Sequence, residues 1–299
     1  MPDCRSLIGT VCAVCLSAFA ARAETFVDYP AGAATAGDSQ SFTLVPVSTG
    51  RKHDLQPLGR DGWRRVDGHG RAFVSVIRGG DRSGQCVRFT RAPWWTEGNR
   101  DSFAHIVHPI GRTFTSGKVS IQADLSTPDV WHFRSRRIVV GLGNAALAVS
   151  RGTEWDEFVA YAGIRGTEGS AVFCPGWSEP GQRDGLDPAV RLTRSCWFRV
   201  KLTVDLDAKT GEMRLYRIGG KGLSLGDDES SLELVYEKRG FGLYNDLGEV
   251  SALFVSVYGA GSTDSPREQV WLDNIKVLSG DFASGEVVYA NDFDVCIRK

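Results

Sequence analysis

The stretch Cys196 to Ile218, CWFRVKLTVDLDAKTGEMRLYRI, decides the fold of this chain. One face of its first half carries only apolar side chains, those of Phe198, Val200, Leu202, Val204 and Leu206. The other face carries Trp197, Arg199, Lys201 and Thr203, and such alternation is typical of a β-strand. The segment 207–211 then reverses the chain, with Gly211 able to adopt the positive φ of a short turn. The stretch predicts a long hairpin with one apolar face and one aromatic, basic face.

Alternating segments recur along most of the chain, and Gly, Pro, Asn, Asp and Ser separate them. The predicted strands are 71–77, 85–90, 118–125, 137–142, 145–149, 157–164, 232–237, 250–258, 270–277 and 285–293. No window shows the sustained 3.6-residue period of a helix. The sequence therefore predicts an all-β fold, a two-sheet antiparallel β-sandwich of the jelly-roll kind.

Residues 1–23 are predicted to be a secretory signal peptide. A mostly apolar run, Leu7 to Ala20, precedes a small-x-small cleavage site at Ala21-Arg22-Ala23. This run is shorter than the ~20 residues that a membrane-spanning helix needs, so no membrane span is expected. The mature protein is then secreted, periplasmic or on the cell surface.

Residues 24–299 are predicted to form a single β-sandwich domain. Gly, Pro, Ser and Thr interrupt residues 24–62, which predict an irregular N-terminal arm with one strand at 41–45. Residues 166–193 contain Pro175, Pro180 and Pro188 and predict a long loop insertion, a kind of segment that is often functional.

The net charge indicates which kinds of binding partner are unsuitable, and the cysteine content indicates whether disulfides can form. The formal net charge of −1 argues against nucleic acid as a partner, because nucleic-acid binding usually requires a basic excess. Four cysteines lie outside the signal peptide: Cys86, Cys174, Cys196 and Cys296. An exported chain with four cysteines permits disulfides. Cys174–Cys196 is the preferred pair, and buried free thiols are the alternative.

Three stretches resemble the concanavalin-A-like lectin/glucanase superfamily and its laminin-G-like jelly rolls, in the type found in secreted bacterial proteins. They are CWFRV at 196–200 with its Asp-rich hairpin, LFVSVYG at 253–259, and VWLDNIKV at 270–277. The last is similar to an LDNI.V closing strand of that superfamily. The resemblance implies a sandwich whose concave face or rim loops bind glycans. It does not imply a reaction, because the superfamily includes lectins, hydrolases, lyases and adhesion modules.

Four tryptophans are candidate glycan ligands because they lie in predicted loops: Trp94, Trp95, Trp131 and Trp177. A flat aromatic ring on a polar loop offers apolar surface for stacking against a sugar ring. The alternative is that these rings close the open ends of the sandwich.

The side chains of Trp197, Arg199 and Lys201 form a second candidate site, which we call the outer strip. A guanidinium binds carboxylate or sulfate in a bidentate manner, so an anionic glycan would suit this strip. The alternative is an ordinary solvated strand with Trp197 covered by the arm.

The sequence shows no catalytic signature. Glu154 and Glu157 of the EWDE segment resemble a glucanase motif, but their spacing of three residues places them on opposite faces of a strand. His132, Arg134 and Tyr258 are residue types that a lyase uses, and no spacing singles them out.

The sequence gives equally little evidence for a metal site. His105-x-x-His108 supplies too few ligands for zinc, so no metal and no cofactor are predicted. Calcium is left open, with Asp227-Asp228-Glu229 or Asn245-Asp246 as the oxygen ligands.

The leading interpretation is an exported β-sandwich that binds a polysaccharide or glycan. One alternative is a polysaccharide-active enzyme on the same fold, a glycoside hydrolase or a lyase. The other is an envelope or adhesion module that binds a protein. The sequence leaves open whether the protein is an enzyme.

The signal-peptide hypothesis predicts the mature terminus. Mass spectrometry of the exported protein should give Glu24 as the first residue, because signal peptidase cleaves after the Ala-x-Ala site. Recovery of an intact Met1 on a cytosolic protein would refute export.

Overall fold

The structure is a computed structural model that describes part of the chain. The described residues are 28–30, 39–41, 56–57, 63–69, 72–78, 85–91, 103–126, 137–150, 158–167, 170–175, 191–192, 196–219, 230, 232–258 and 270–291. The signal peptide and most of the predicted arm lie outside these residues.

The described residues form eighteen strands and one short helix. In chain order these are β1 (Asp28–Pro30), β2 (Ser39–Ser41), β3 (Gln56–Pro57), β4 (Arg64–His69), β5 (Ala72–Arg78), β6 (Gln85–Arg91), β7 (Phe103–Phe114), β8 (Lys118–Ser126), β9 (Arg137–Gly143), α1 (Ala145–Ser150), β10 (Phe158–Thr167), β11 (Ser170–Pro175), β12 (Arg191–Leu192), β13 (Trp197–Asp205), β14 (Thr210–Gly219), β15 (Glu233–Gly242), β16 (Val250–Tyr258), β17 (Val270–Ser279) and β18 (Glu286–Asn291).

Two large antiparallel sheets contain nearly all of these strands. The first sheet has the order β12-β11-β10-β9-β16-β7-β4-β3. The second has the order β15-β14-β13-β8-β17-β6-β5, and β18 pairs with β17. Strands β1 and β2 form a separate pair. The predicted all-β, two-sheet antiparallel sandwich is therefore confirmed.

A single large apolar core lies between the two sheets. Val200 and Ile121 reach it from the second sheet, and Val140 and Val255 reach it from the first. All four are fully buried. Because each buried aliphatic side chain contributes roughly 1.5–3 kcal/mol, this layer is the main source of stability.

The predicted hairpin is present as β13 and β14, with Val200 opposite Leu215 and Lys201 opposite Arg214. Its turn differs from the prediction, because Lys209 adopts the positive φ of 54° and Gly211 does not. Gly211 is required for another reason: a Cβ at this position would collide with the ring of Phe241 on β15.

The predicted strand 145–149 is wrong, since these residues form helix α1. Asn144 precedes the helix, and its Oδ1 accepts a hydrogen bond of 2.8 Å from the Ala146 N–H. An asparagine cap of this kind satisfies one of the free N–H groups at a helix start. A short apolar run fits a strand or a buried helix equally well, so the pattern alone could not decide.

The prediction also missed strands. β7 was not predicted, because Pro109 and the positive-φ Gly111 interrupt its pattern. The pairing of β7 with β16 is irregular at this point, between Val250 and Ala252. The predicted insertion 166–193 is not wholly irregular, since it contains β11 and β12. The arm 24–62 likewise contains β1 to β3.

The predicted disulfide stays a prediction. The side chains of Cys86 and Cys174, and all of Cys296, lie outside the described residues. Cys196 is buried, and its thiol donates to the carbonyl oxygen of Trp197 at 3.6 Å.

Substitution of Gly163 on β10 should test the packing within the first sheet. A Cβ at Gly163 would meet the Ile138 carbonyl oxygen and would lie 2.7 Å from the Val139 Cα, so the neighbouring backbone would have to move. We expect Gly163→Ala to lower the free energy of unfolding by about 3 kcal/mol in urea denaturation. Gly240→Ala is the control, because Gly240 has open space but a φ of 67°, and it should cost only about 1 kcal/mol. Equal losses would contradict the close packing of β10 on β9.

Candidate functional site: the polar face of the second sheet

The outer face of the second sheet, which points away from the apolar core, is polar yet largely buried. Its central strand β8 places Val119, Ile121, Ala123 and Leu125 in the core, so the residues between them point outward. We define the polar face as Ser120, Gln122, Asp124 and Ser126 of β8, Trp197, Arg199 and Lys201 of β13, and Trp271, Asp273, Asn274 and Lys276 of β17. A sheet face of this kind is normally solvated, so its burial calls for a physical explanation.

A buried ion pair occupies the centre of the polar face. Arg199 lies directly opposite Asp124 across the β13–β8 pair, and both side chains are 0% exposed. Arg199 donates from Nε to Oδ1 at 2.8 Å and from Nη2 to Oδ2 at 3.0 Å. This two-point geometry is the strongest form of arginine–carboxylate contact and fixes both side chains.

A bulge in β17 adds a third member to this centre. Two residues, Asn274 and Ile275, oppose one residue of β8, between the pairs Asp273–Asp124 and Lys276–Gln122. Asn274 takes a φ of 49°, which asparagine tolerates better than most residues. Its amide donates to Asp124 Oδ2 at 2.7 Å, and its backbone N–H donates to Asp273 Oδ1 at 2.7 Å. Bulges of this kind commonly redirect side chains next to functional sites.

Gln122 is the exception within this satisfied network. Its side chain is fully buried, yet neither its amide oxygen nor its amide nitrogen has a hydrogen-bond partner among the described residues. A buried polar group left without a partner costs about 1–3 kcal/mol. Such a residue in a strand that is otherwise well satisfied requires an explanation, and an external ligand is one.

Lysines flank Gln122 on both neighbouring strands. Lys201 lies opposite Gln122 on β13, and Lys276 lies opposite it on β17. We call Lys201, Gln122 and Lys276 the cationic row. The Lys201 ammonium lies 5.5 Å from the ring centre of Tyr216 and 4.9 Å from that of Phe282. Both lysines are partly exposed, so the cationic row reaches solvent at its ends.

A pair of tryptophans lies at the other end of the polar face. Trp197 and Trp271 are both opposite Ser126, from β13 and β17 respectively. We call these three residues the aromatic row. Trp271 is partly exposed, whereas Trp197 is only 3% exposed.

The structure corrects the solvent exposure that the sequence predicted for the outer strip. Arg199 is not on a solvated surface, because it pairs with Asp124 inside the polar network. Trp197 is also buried, and only Lys201 keeps partial exposure. Glycan binding by these three residues stays a prediction. Trp94, Trp95, Trp131 and Trp177 lie outside the described residues, so their role also stays a prediction.

Arg214, which lies opposite Lys201 on β14, is held by surface carboxylates. It contacts Glu237 at 2.6 Å and Glu212 at 2.5 Å. The hydrogen bond with Glu237 raises the pKa of Arg214 and lowers the pKa of Glu237, with Arg239 contributing to the latter. Arg214 thus belongs to a surface ion-pair network.

Sequence reasoning missed most of the polar face, namely Gln122, Asp124, Trp271, Asp273, Asn274 and Lys276. One signal was present, because the predicted strand 118–125 alternates apolar residues with Ser120, Gln122 and Asp124. A serine, an amide and a carboxylate in that position are also typical of a solvated strand face. The cross-strand partners that distinguish the two cases became visible only in the structure.

The histidines and the catalytic candidates that the sequence suggested are not brought together in the described part of the structure. His105 contacts Phe158 and Phe254 on the outer face of the first sheet, whereas His108 contacts Trp63 and Tyr289 on the core side. Residues 154–157, His132, Arg134 and the side chain of Tyr258 lie outside the described residues.

The calcium candidates are equally dispersed. Asn245 donates to the Phe158 carbonyl oxygen, Asp246 pairs with Lys209, and residues 227–229 lie outside the described part. Within that part, no three His, Cys, Asp or Glu side chains are grouped so that they could hold a metal ion.

The outer face of the first sheet provides a contrast. It carries a second apolar cluster that includes Val107, Phe158, Tyr161 and Phe254. Ser256 is also buried there, and its hydroxyl has no hydrogen-bond partner in the described ranges. The polar network is thus a property of the second sheet.

Comparisons with known proteins find structures that resemble this one but no matching sequence. No protein-family model and no curated protein sequence matches it. A sialidase is 12% identical over 73% of this chain and 17% of its own, with a TM-score of 0.41. The catalytic domain of a GH131 beta-glucanase from Podospora anserina is 14% identical over 72% and 81%, with a TM-score of 0.37. An alginate lyase from Pseudomonas aeruginosa is 10% identical over 68% and 84%, also with a TM-score of 0.37.

The two-sheet architecture agrees with the predicted concanavalin-A-like fold, and membership of that superfamily stays a prediction. Among the described residues, no helix has the length and apolarity needed to cross a membrane.

Replacement of Arg199 should measure how much the Asp124–Arg199 ion pair contributes to the free energy of unfolding. Arg199→Met leaves Asp124 charged and buried, so we expect a loss of about 3–5 kcal/mol in the free energy of unfolding. The double variant Asp124→Leu/Arg199→Met removes both charges and should recover most of that loss. Arg214→Met is the control, because its partly exposed ion pairs should contribute only about 0–1 kcal/mol. A small loss for Arg199→Met would show that the pair is solvated in solution.

Proposed function

We propose that this protein binds a glycan on the polar face of the second sheet. The observation that carries the proposal is Gln122, which is buried beside the Asp124–Arg199–Asn274 network and has no hydrogen-bond partner for either amide atom among the described residues. A side-chain amide offers two donor hydrogens and an acceptor oxygen. Sugar hydroxyls both donate and accept, so a carbohydrate is the ligand class that complements such a group at both ends.

The residues around Gln122 are held in place before any ligand arrives. Asp124, Arg199 and Asn274 are joined by three hydrogen bonds of 2.7–3.0 Å and cannot reorient without breaking them. A rigid floor reduces the entropy lost on binding, which favours affinity. The aromatic row supplies apolar rings of the kind that stack on sugar faces.

Access to Gln122 passes through the cationic row. The amide is covered, while Lys201 and Lys276 on either side are partly exposed. Lysine side chains are long and flexible, so their displacement is the least costly way to admit a ligand. The described part of the chain therefore favours a narrow site that opens on binding.

A glycoside hydrolase is the second candidate, because Asp273 lies directly opposite Asp124 on the neighbouring strand. Residues paired in this way have Cβ atoms about 4.5–5.5 Å apart, so their carboxyl groups can approach the separation used by retaining enzymes. Asp124, however, already accepts hydrogen bonds from Arg199 and Asn274 on both oxygens. This arrangement favours a structural role for Asp124, and binding remains the better proposal.

A protein partner finds less support. The large apolar side chains exposed among the described residues are Leu234 and Val287, on strands β15 and β18. Isolated apolar side chains of this kind are normal on any surface and do not form a docking patch.

Export belongs to the same proposal. The predicted signal peptide 1–23 would place the protein outside the cytoplasm, as secreted, periplasmic or cell-surface protein, where polysaccharides are accessible. The loop tryptophans Trp94, Trp95, Trp131 and Trp177 are proposed to add stacking contacts to the same ligand.

Substitution of Gln122 separates binding from stability. We expect Gln122→Leu to raise the free energy of unfolding by about 1–3 kcal/mol, because an unpaired buried amide is replaced by an apolar group of similar size. The same change should weaken glycan binding by roughly tenfold or more, as loss of polar contacts worth about 1.5 kcal/mol requires. Denaturant unfolding and a glycan array with the mature chain measure the two effects.

Ser256→Ala is the matched control. It removes another buried polar group that has no partner among the described residues, a hydroxyl on the first sheet, so it should leave glycan binding unchanged. If Gln122→Leu stabilises the protein and binding stays at the wild-type level, Gln122 is not a ligand contact and the proposed site is wrong.

A further inference from the structure

We infer a stacking subsite for a sugar ring at the partly exposed edge of the polar face, formed by the aromatic rings of Tyr216 and Phe282. This inference rests on the proposed function and deepens it, because it names a place where the glycan contacts aromatic side chains at the protein surface. Its basis is the change from buried to partly exposed side chains across the second sheet, together with the contacts that hold both rings in position.

Burial on the outer face of the second sheet decreases from β8 towards β15. Gln122 on β8 is fully buried, whereas Lys201, opposite it on β13, is partly exposed. The next residue across is Arg214 on β14, whose side chain is 29% exposed. Tyr216 is also partly exposed, and it shares this face with Arg214 because the two are two residues apart on one strand. This part of the face therefore reaches solvent, unlike the centre around Gln122.

The β17–β18 turn brings a second ring to the same place. Its residue Phe282 is partly exposed, and the centre of the Phe282 ring lies 4.9 Å from the Lys201 ammonium nitrogen. The ring centre of Tyr216 lies 5.5 Å from the same nitrogen. The ammonium attracts both rings, which favours their present positions. Two partly exposed rings that share one neighbouring atom are close enough to contact the same oligosaccharide.

Hydrogen bonds hold the β17–β18 turn in one conformation. Asp281 Oδ1 accepts from the backbone N–H groups of Ala283 and Ser284, each at 3.0 Å. The Gly285 N–H donates to the Asp281 carbonyl oxygen at 2.8 Å. A Cβ at Gly285 would lie 2.5 Å from that carbonyl oxygen, so a larger side chain would push the turn apart. The Phe282 ring is thus presented by a rigid segment, which reduces the entropy lost when a ligand binds.

The turn is also fastened to β8 beside the cationic row. The Gly280 N–H donates to the Lys118 carbonyl oxygen at 2.8 Å, and the Gly280 carbonyl oxygen accepts from the Ser120 hydroxyl at 2.7 Å. Ser120 lies two residues before Gln122 on the same face of the strand. The stacking subsite therefore adjoins the cationic row, through which the proposed ligand reaches Gln122.

Paired charges lie next to the rings, and this combination favours a carbohydrate. Arg214 is bound by Glu212 and Glu237, and Glu237 also binds Arg239, so this network balances its own charges. Carboxylate oxygens accept hydrogen bonds from sugar hydroxyls, while an aromatic ring covers the C–H face of a sugar. A protein partner would need a larger contiguous apolar patch than two partly exposed rings supply.

Binding measurements on the mature full-length chain test this inference. A glycan array that includes cellohexaose, laminarihexaose and oligogalacturonates identifies the tightest probe, whose affinity is then measured by calorimetry. We expect Tyr216→Leu and Phe282→Leu each to weaken binding of that probe about tenfold, because leucine keeps apolar volume but has no flat face for stacking. Tyr216→Phe retains the ring and should bind within about twofold of the wild type.

The control is Tyr244→Leu. Tyr244 is also a partly exposed tyrosine, but its ring contacts Tyr161 on the first sheet, so its replacement should leave the affinity unchanged. Denaturant unfolding shows that each compared variant is folded. The loss of a cation–π contact at a partly exposed site should lower the free energy of unfolding only slightly.

The outcomes separate the two proposals. If Tyr216→Leu and Phe282→Leu bind like the wild type while Gln122→Leu does not, glycan binding stands and the stacking subsite is wrong. If both ring variants weaken binding and Gln122→Leu does not, the stacking subsite stands and Gln122 is not a ligand contact. If Tyr244→Leu weakens binding as much as Tyr216→Leu does, the effect is not local and the inference falls. If no glycan on the array binds, both proposals are wrong.

Discussion

The buried pair between Asp124 and Arg199 is the interaction on which the second sheet depends. It joins β8 to β13 through side chains, and Asn274 extends the contact to β17. Two charges without exposure are tolerable only because each satisfies the other at two points, and loss of either leaves the remaining one uncompensated. The β17 bulge is part of this arrangement, since it brings the Asn274 amide to the same carboxylate.

This constraint makes the two faces of the sandwich chemically different. The first sheet covers its outer face with an apolar cluster around Phe158 and Phe254. Apolar side chains can be buried there without fixed partners, because the hydrophobic effect is not directional. The second sheet buries polar groups, which demand fixed partners. A face built in this way is rigid, and Gln122 is a member whose amide finds no hydrogen-bond partner in the part of the chain that the structure describes. The proposed site follows from that difference.

Several elements could be predicted because their evidence is local. The period-two pattern of 196–206 determined β13, and the same rule correctly located β8, β9 and β17. Prediction failed where one pattern fits two structures. The apolar segment 145–149 became α1 because Asn144 caps it, and β7 was missed because Pro109 interrupts its alternation. Arg199 was placed on a strand correctly, but its burial depends on Asp124, which is 75 residues away in the chain.

The sequence by itself therefore determined the all-β class, the central hairpin and the alternation that divides each strand into two faces, because backbone geometry fixes a period of two within any strand. Only the tertiary structure decided which polar face is buried and which residues share it. Register between strands brings Lys201, Gln122 and Lys276 into one row, although they come from three distant parts of the chain. A shift of one residue in either pairing would send these side chains to the opposite face. The candidate site is thus a consequence of pairing between strands, which no single segment contains.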